Sequence, residues 1–126
     1  MPEPEWVSKA VVLALHEEQL AEHGGSPGLR DEGLLESALG KPQNLLSCGQ
    51  PDLADLAAAY AVGLAKNHAF VDGNKRVSNV VTLTFLLLNG SDLKAEDTEQ
   101  VRVWLAIADG TMSEEHAANW IRKHMV

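Results

Sequence analysis

Residues 68–90 read HAFVDGNKRVSNVVTLTFLLLNG. The second half, Val77 to Leu88, is apolar at helical spacing, and Asn89-Gly90 supplies a left-handed C-terminal stop. It is apolar on nearly every side, which predicts a central, buried helix. The first half gathers His68, Asp72, Gly73, Asn74, Lys75 and Arg76 into one turn before that helix. A helix start leaves backbone N–H groups free and carries the positive end of the dipole, so it attracts anions. Two cations at such a start oppose the dipole and cost stability, which points to an anionic ligand. The stretch predicts a helical protein with a chemically loaded loop leading into an inner helix.

Working outward, the periodicity stays helical. Val7, Val11, Val12, Leu15 and Leu20 roughly follow one face, and Gly24-Gly25 ends it. Asp31 can cap a second helix, Glu32 to about Ala38, with Leu34, Leu35 and Ala38 inward. Gly40, Pro42 and Gly49-Gln-Pro51 punctuate the next stretch, so Gly40 to Pro51 reads as an irregular loop or flap. A short hairpin there is the sole strand candidate, and Gln43 to Gln50 would either align a substrate segment by backbone pairing or be a plain surface loop. Asp52 caps a third helix running to about Asn67. A fifth covers about Ala95 to Asp109, with Val101, Trp104, Leu105 and Ile107 inward, and Ser113 caps the last. The fold class expected is all-α, with about six helices in one domain, 1–126.

The totals exclude several functions. Ten Lys and Arg against eighteen Asp and Glu give a formal net charge of −8, so no basic face for nucleic acid is evident. A negative protein that binds phosphate must concentrate its cations locally, as Lys75 and Arg76 do. The single cysteine, Cys48, excludes an internal disulfide and a multi-cysteine zinc site, and suits a reducing cytosol. The acidic N-terminus lacks a signal-peptide layout, and Val77 to Leu88 falls short of the roughly 20 apolar residues that span a bilayer. A cytoplasmic location, with no membrane partner, is expected.

The loop suits phosphoryl or nucleotidyl transfer, which rests on positioning and charge neutralisation. His68 is the candidate general base, since an imidazole titrates near neutrality. Asp72 offers hard carboxylate oxygens for Mg²⁺ carried on nucleotide phosphates, although it could instead cap the helix. Gly73 allows close backbone approach, Asn74 can donate, and Lys75 and Arg76 supply charge to phosphate. Phe70 should point inward and pin the loop. His16, His23, His116 and His124 show no ligand spacing and are expected at the surface. Trp6, Tyr60, Trp104 and Trp120 are expected to pack.

The segment His68-Ala-Phe70-Val-Asp72-Gly73-Asn74-Lys75-Arg76 resembles the Fic/Doc signature, His-x-Phe-x-(Asp/Glu)-Gly-Asn-(Gly/Lys)-Arg, at every fixed position. The length, the helical pattern and Leu29 to Ala38 resemble the short death-on-curing (Doc) branch. The resemblance implies a compact Fic-like helical bundle with the active loop between two central helices. It implies His68 as the base, Asp72 as the magnesium-linked carboxylate and Gly73 to Arg76 as the anion cradle. Adenylyl-transferring members usually have glycine at the position of Lys75 and a second arginine where this chain has Asn79. Doc toxins share the lysine and transfer the terminal phosphate of ATP to elongation factor Tu. The resemblance therefore implies a toxin that phosphorylates a translation factor using ATP and Mg²⁺. Adenylyl transfer, or a catalytically silent module that only binds an anion or partner, are the alternatives. Thr111 to Glu115 has the spacing of the family's inhibitory helix, but His116 replaces its Gly or Asn. Without a built-in inhibitor, the resemblance implies a small separate antitoxin laid as a helix in a groove.

Overall fold

Among the described residues, 3–126, the chain forms six α-helices: α1 (Lys9–His23), α2 (Glu32–Cys48), α3 (Leu53–Asn67), α4 (Asn74–Leu88), α5 (Asp97–Asp109) and α6 (Glu114–His124). The structure is a computed structural model. Beyond the helices it contains two isolated antiparallel bridges, Leu29 with Phe70 and Leu93 with Met125, so the all-α expectation holds. None of these helices is long and apolar enough to cross a membrane.

Side chains start four of the helices. Ser8 accepts from Val11 N, Asp31 from Leu34 N and Ser113 from His116 N, while Asp52 and Asp55 form a reciprocal capping box. Gly90 ends α4 with φ +82, and Ser91 N and Gly90 N return to Leu86 O and Leu87 O.

The central helix is α3. Ala54, Ala57, Ala58, Ala59, Ala61 and Ala65 are all at most 1% exposed, and α3 packs on α2, α4, α5 and α6. Small residues let neighbours approach closely. A Cβ added to Gly63 would lie 3.3 Å from both Cα and Cβ of Ala38 on α2. This corrects the expectation for α4. That helix buries Val77, Ser78, Val81, Thr82, Phe85 and Leu86 but leaves Leu87 and Leu88 exposed. Alanine weighs little in an apolar periodicity, yet a helix built of it can be enclosed all round.

Two further expectations are overturned. The stretch from Gly40 is no flap or hairpin, because α2 runs on through Pro42 to Cys48. An interior proline costs a helix about 3 kcal/mol by losing a hydrogen bond and crowding the carbonyl four residues back. Here Pro42 is buried on the face that Leu35 and Ala38 present to α3, so packing outweighs the local penalty. The helical backbone also leaves no free edge for pairing with a substrate segment. In α5, Val103, Trp104 and Ile107 are buried, while Val101 and Leu105 are exposed. Trp104 sets that rotation. Its indole N–H donates to Ser78 Oγ at 2.9 Å, and Ser78 donates to Ala61 O at 2.7 Å, a buried chain joining α5, α4 and α3. Turning α5 to bury Val101 would break it.

Tyr60 packs on Phe85, and its hydroxyl accepts from Val7 N at 3.0 Å. Arg122 on α6 grips the start of α3, donating to both oxygens of Asp52 at 2.8 and 3.0 Å and to Asp55 at 3.0 Å. The guanidinium, followed by the Asp55 bonds, holds the Asp52 carboxyl down at about 2. A carboxyl lowered on folding stabilises the native state above its unfolded pKa and loses that contribution as pH falls through the folded value. The window here runs from about pH 4 down to about pH 2. With side chains 42% and 53% exposed, water screening limits the contribution to about 1 kcal/mol. Arg122→Gln should lower stability by that amount at pH 7 and by almost nothing at pH 2. Urea melts at the two pH values check this.

Candidate active site

The loop between α3 and α4 is held from both ends and from one side. His68 ends α3 in the left-handed region, with φ 51. Ala69 and Phe70 then turn into the core, Phe70 at 2% exposure. The Asn74 carboxamide clamps Phe70, accepting from its N–H at 3.1 Å and donating to its carbonyl at 3.0 Å. The connection between α1 and α2 lies alongside. Arg30 N and Asp31 N both donate to Ala69 O, Val71 N donates to Gly28 O, and Arg30 Nε donates to His68 O at 2.7 Å. The backbone of His68 is thus fixed while its ring is exposed and makes no hydrogen bond among the described residues.

Asp72 is exposed, and each carboxylate oxygen is oriented by one backbone donor. Gly73 N reaches Oδ1 at 2.9 Å and Ser26 N reaches Oδ2 at 3.3 Å. Gly25, at φ +124, makes room for it, since a Cβ there would sit 2.8 Å from Oδ2. Each oxygen accepts one bond and the residue is exposed, so the carboxylate has acceptor capacity left that fits a hard cation held jointly with nucleotide phosphates. No group of three or more His, Cys, Asp or Glu among the described residues forms a cage.

α4 starts at Asn74 behind Gly73, whose φ is +78. Its N-terminus has neither a side-chain cap nor an acidic residue in the first turn, unlike the other helices, which have at least one of the two. Lys75 and Arg76 occupy that turn, both exposed, and no ion pair among the described residues engages them. A helix start without a side-chain cap thus carries two unneutralised cations in its first turn, the composition an anion site requires. The Asn74 side chain commits its oxygen and one of its two N–H donors to the loop's own backbone, which leaves one donor for a ligand. Asn79, one turn on, is bonded to Gln100 on α5 at 3.0 Å and does not replace a second phosphate-binding cation. A groove of about 430 Å³ opens beside Lys75 and Arg76, with Gln19 and His23 of α1 on one wall and the exposed Val101 and Leu105 of α5 on the other.

His16 corrects the surface expectation. It is 4% exposed, its ring stacks on Phe70 at 3.8 Å, and its Nε2 lies 2.8 Å from Asp72 O. Its partner is 56 residues away, so no local spacing reveals it. Arg30 was equally invisible, since only the bridge between Leu29 and Phe70 brings it to His68. His124 stays partly exposed, its ring tilted 32° against Trp120 with centroids 4.6 Å apart.

Residues 6–86 match the model of the Fic/DOC family. The chain is 30% identical over 118 residues to the protein kinase doc of Escherichia phage P1, covering 93% of each. It is 45% identical over 75 residues to the toxin Doc of Mycolicibacterium smegmatis, covering 58% of each.

Proposed function

We propose, on the premise that this chain belongs to the Fic/DOC family, that it is a Doc-like protein kinase moving the terminal phosphate of ATP to a protein hydroxyl. The observation that carries the reading is the start of α4. It has no side-chain cap and no first-turn acid, and it bears two cations that no ion pair among the described residues engages, beside an exposed histidine. A helix start built that way is costly unless an anion completes it.

In this reading the main-chain N–H groups at Asn74 to Arg76, with the Lys75 and Arg76 side chains, hold the phosphates. Asp72 would hold the nucleotide's Mg²⁺, which supplies charge neutralisation on the phosphate oxygens when bound. His68 takes the proton of the incoming hydroxyl while that oxygen bonds to the terminal phosphorus. The bond from phosphorus to the bridging oxygen breaks, and ADP leaves. Lys75 and the commitment of Asn79 to α5 favour this over adenylyl transfer, because the second arginine clamp is absent. The acceptor carried over from the family is elongation factor Tu, which would place the enzyme in the cytoplasm and make it an inhibitor of translation. The antitoxin would be a small acidic amphipathic segment, its apolar side on Val101 and Leu105 and its acidic side toward Lys75 and Arg76.

Incubating the chain with elongation factor Tu and either γ-labelled or α-labelled ATP tests the reaction. Label from the γ position, and an intact-mass gain of one phosphate, is the expected result. A gain of one adenylate would replace it with adenylyl transfer. Lys75→Gly should slow phosphoryl transfer about 10²-fold, the scale for removing one charge-stabilising donor. Equal rates would remove the reason for preferring a kinase.

A further inference from the structure

We propose that His16 is a positioning residue, aiming the Asp72 carboxylate by gripping the peptide unit between Asp72 and Gly73. Its importance for catalysis rests on the phosphoryl-transfer reading, while the positioning itself does not.

A carbonyl only accepts, so the 2.8 Å contact to Asp72 O requires the proton on His16 Nε2. The same planar peptide unit carries the Gly73 N–H, which donates to Asp72 Oδ1 at 2.9 Å. One rigid plane is therefore held at its oxygen by α1 and holds the carboxylate at its nitrogen. Ser26 N supports the other carboxylate oxygen. The ring itself is fixed by burial and by its stack on Phe70, with planes 16° apart. A Cβ added to Gly73 would meet Nε2 at 3.5 Å, so ring and turn are in close register. With the proton on Nε2 the basic nitrogen is Nδ1, and burial of the ring at 4% exposure keeps it from an incoming hydroxyl, so His16 is no second base. Packing alone would need only a flat ring, and phenylalanine would serve. The hydrogen bond is what a positioning role adds.

Two variants of the full chain separate the roles. His16→Phe keeps an aromatic ring and removes the donor. His16→Gln removes the ring and keeps an N–H at similar reach. Exchange of the Gly73 amide, followed by NMR, reads the peptide plane directly. It should be about tenfold faster in His16→Phe, the scale of one hydrogen bond, and return toward the parent rate in His16→Gln. Affinity for Mn²⁺-ATP, measured by calorimetry, should fall about tenfold in the first and recover in the second. Parent-like exchange and affinity in His16→Phe would overturn the proposal. So would a folded His16→Gln that has lost both, which keeps the test decisive if the phenylalanine variant does not fold. A parent that protects the Gly73 amide but transfers no phosphate would sink the kinase reading and leave the positioning intact.

Discussion

The His68→Ala variant should transfer phosphate about 10²- to 10⁴-fold more slowly than the parent, the usual contribution of a general base. Its melting temperature should move by no more than about 4 °C, the equivalent of roughly 1 kcal/mol for a chain of this size. The two halves of that result have separate causes. The ring is exposed and unbonded, so its removal opens no cavity and orphans no polar group. The backbone position is set by Arg30 on the His68 carbonyl and by the neighbouring Ala69 carbonyl, neither of which needs the imidazole. The left-handed φ of 51 is a small complication, because alanine tolerates it less well than histidine. His68→Asn removes that complication, since asparagine adopts the conformation readily and cannot act as a base. Unimpaired transfer in both variants would reduce the loop to an anion-binding element. Gross unfolding would make His68 structural.

Phe70→Ala should do the opposite, damaging fold and activity together. The side chain is 2% exposed, and loss of a buried phenylalanine costs about 3–5 kcal/mol. That corresponds to a fall in melting temperature of roughly 10–20 °C, taken between the values for smaller and larger domains. The ring is also the surface on which His16 stacks, and its main chain is the object of the Asn74 clamp. Transfer measured well below the new melting point should therefore still be reduced. A thermal melt beside an activity assay checks both, and a loss under about 1 kcal/mol would mean the loop is not anchored through this residue.

How much of this was legible in the sequence depends on the reach of the interactions involved. The helix starts at Asp31, Asp52 and Ser113 were legible because a cap bonds three residues on. The nine-residue loop was legible because its chemistry is contiguous. Phe70 was legible as the largest apolar side chain of the loop, whereas its apolar neighbour Val71 is exposed. The continuation of α2 through Gly40 and Pro42 was not, because local punctuation lost to packing on α3. The exposed Val101 and Leu105 were misjudged because the rotation of α5 is fixed by Trp104 bonding to Ser78, 26 residues earlier. His16 and Arg30 reach the site only across long chain separations.

The crossing of residues 24–31 over the active loop has a consequence for anyone who wishes to tag or cut this protein. Exposed inter-helical connections are ordinarily where a chain tolerates extra length or a nick. This one is exposed along its whole course, yet it is stitched to the loop through Gly28, Arg30 and Asp31 and to Asp72 through Ser26. It works as a splint, so its length is as fixed as that of the helices, and an epitope inserted there would disarm the enzyme while leaving the bundle standing.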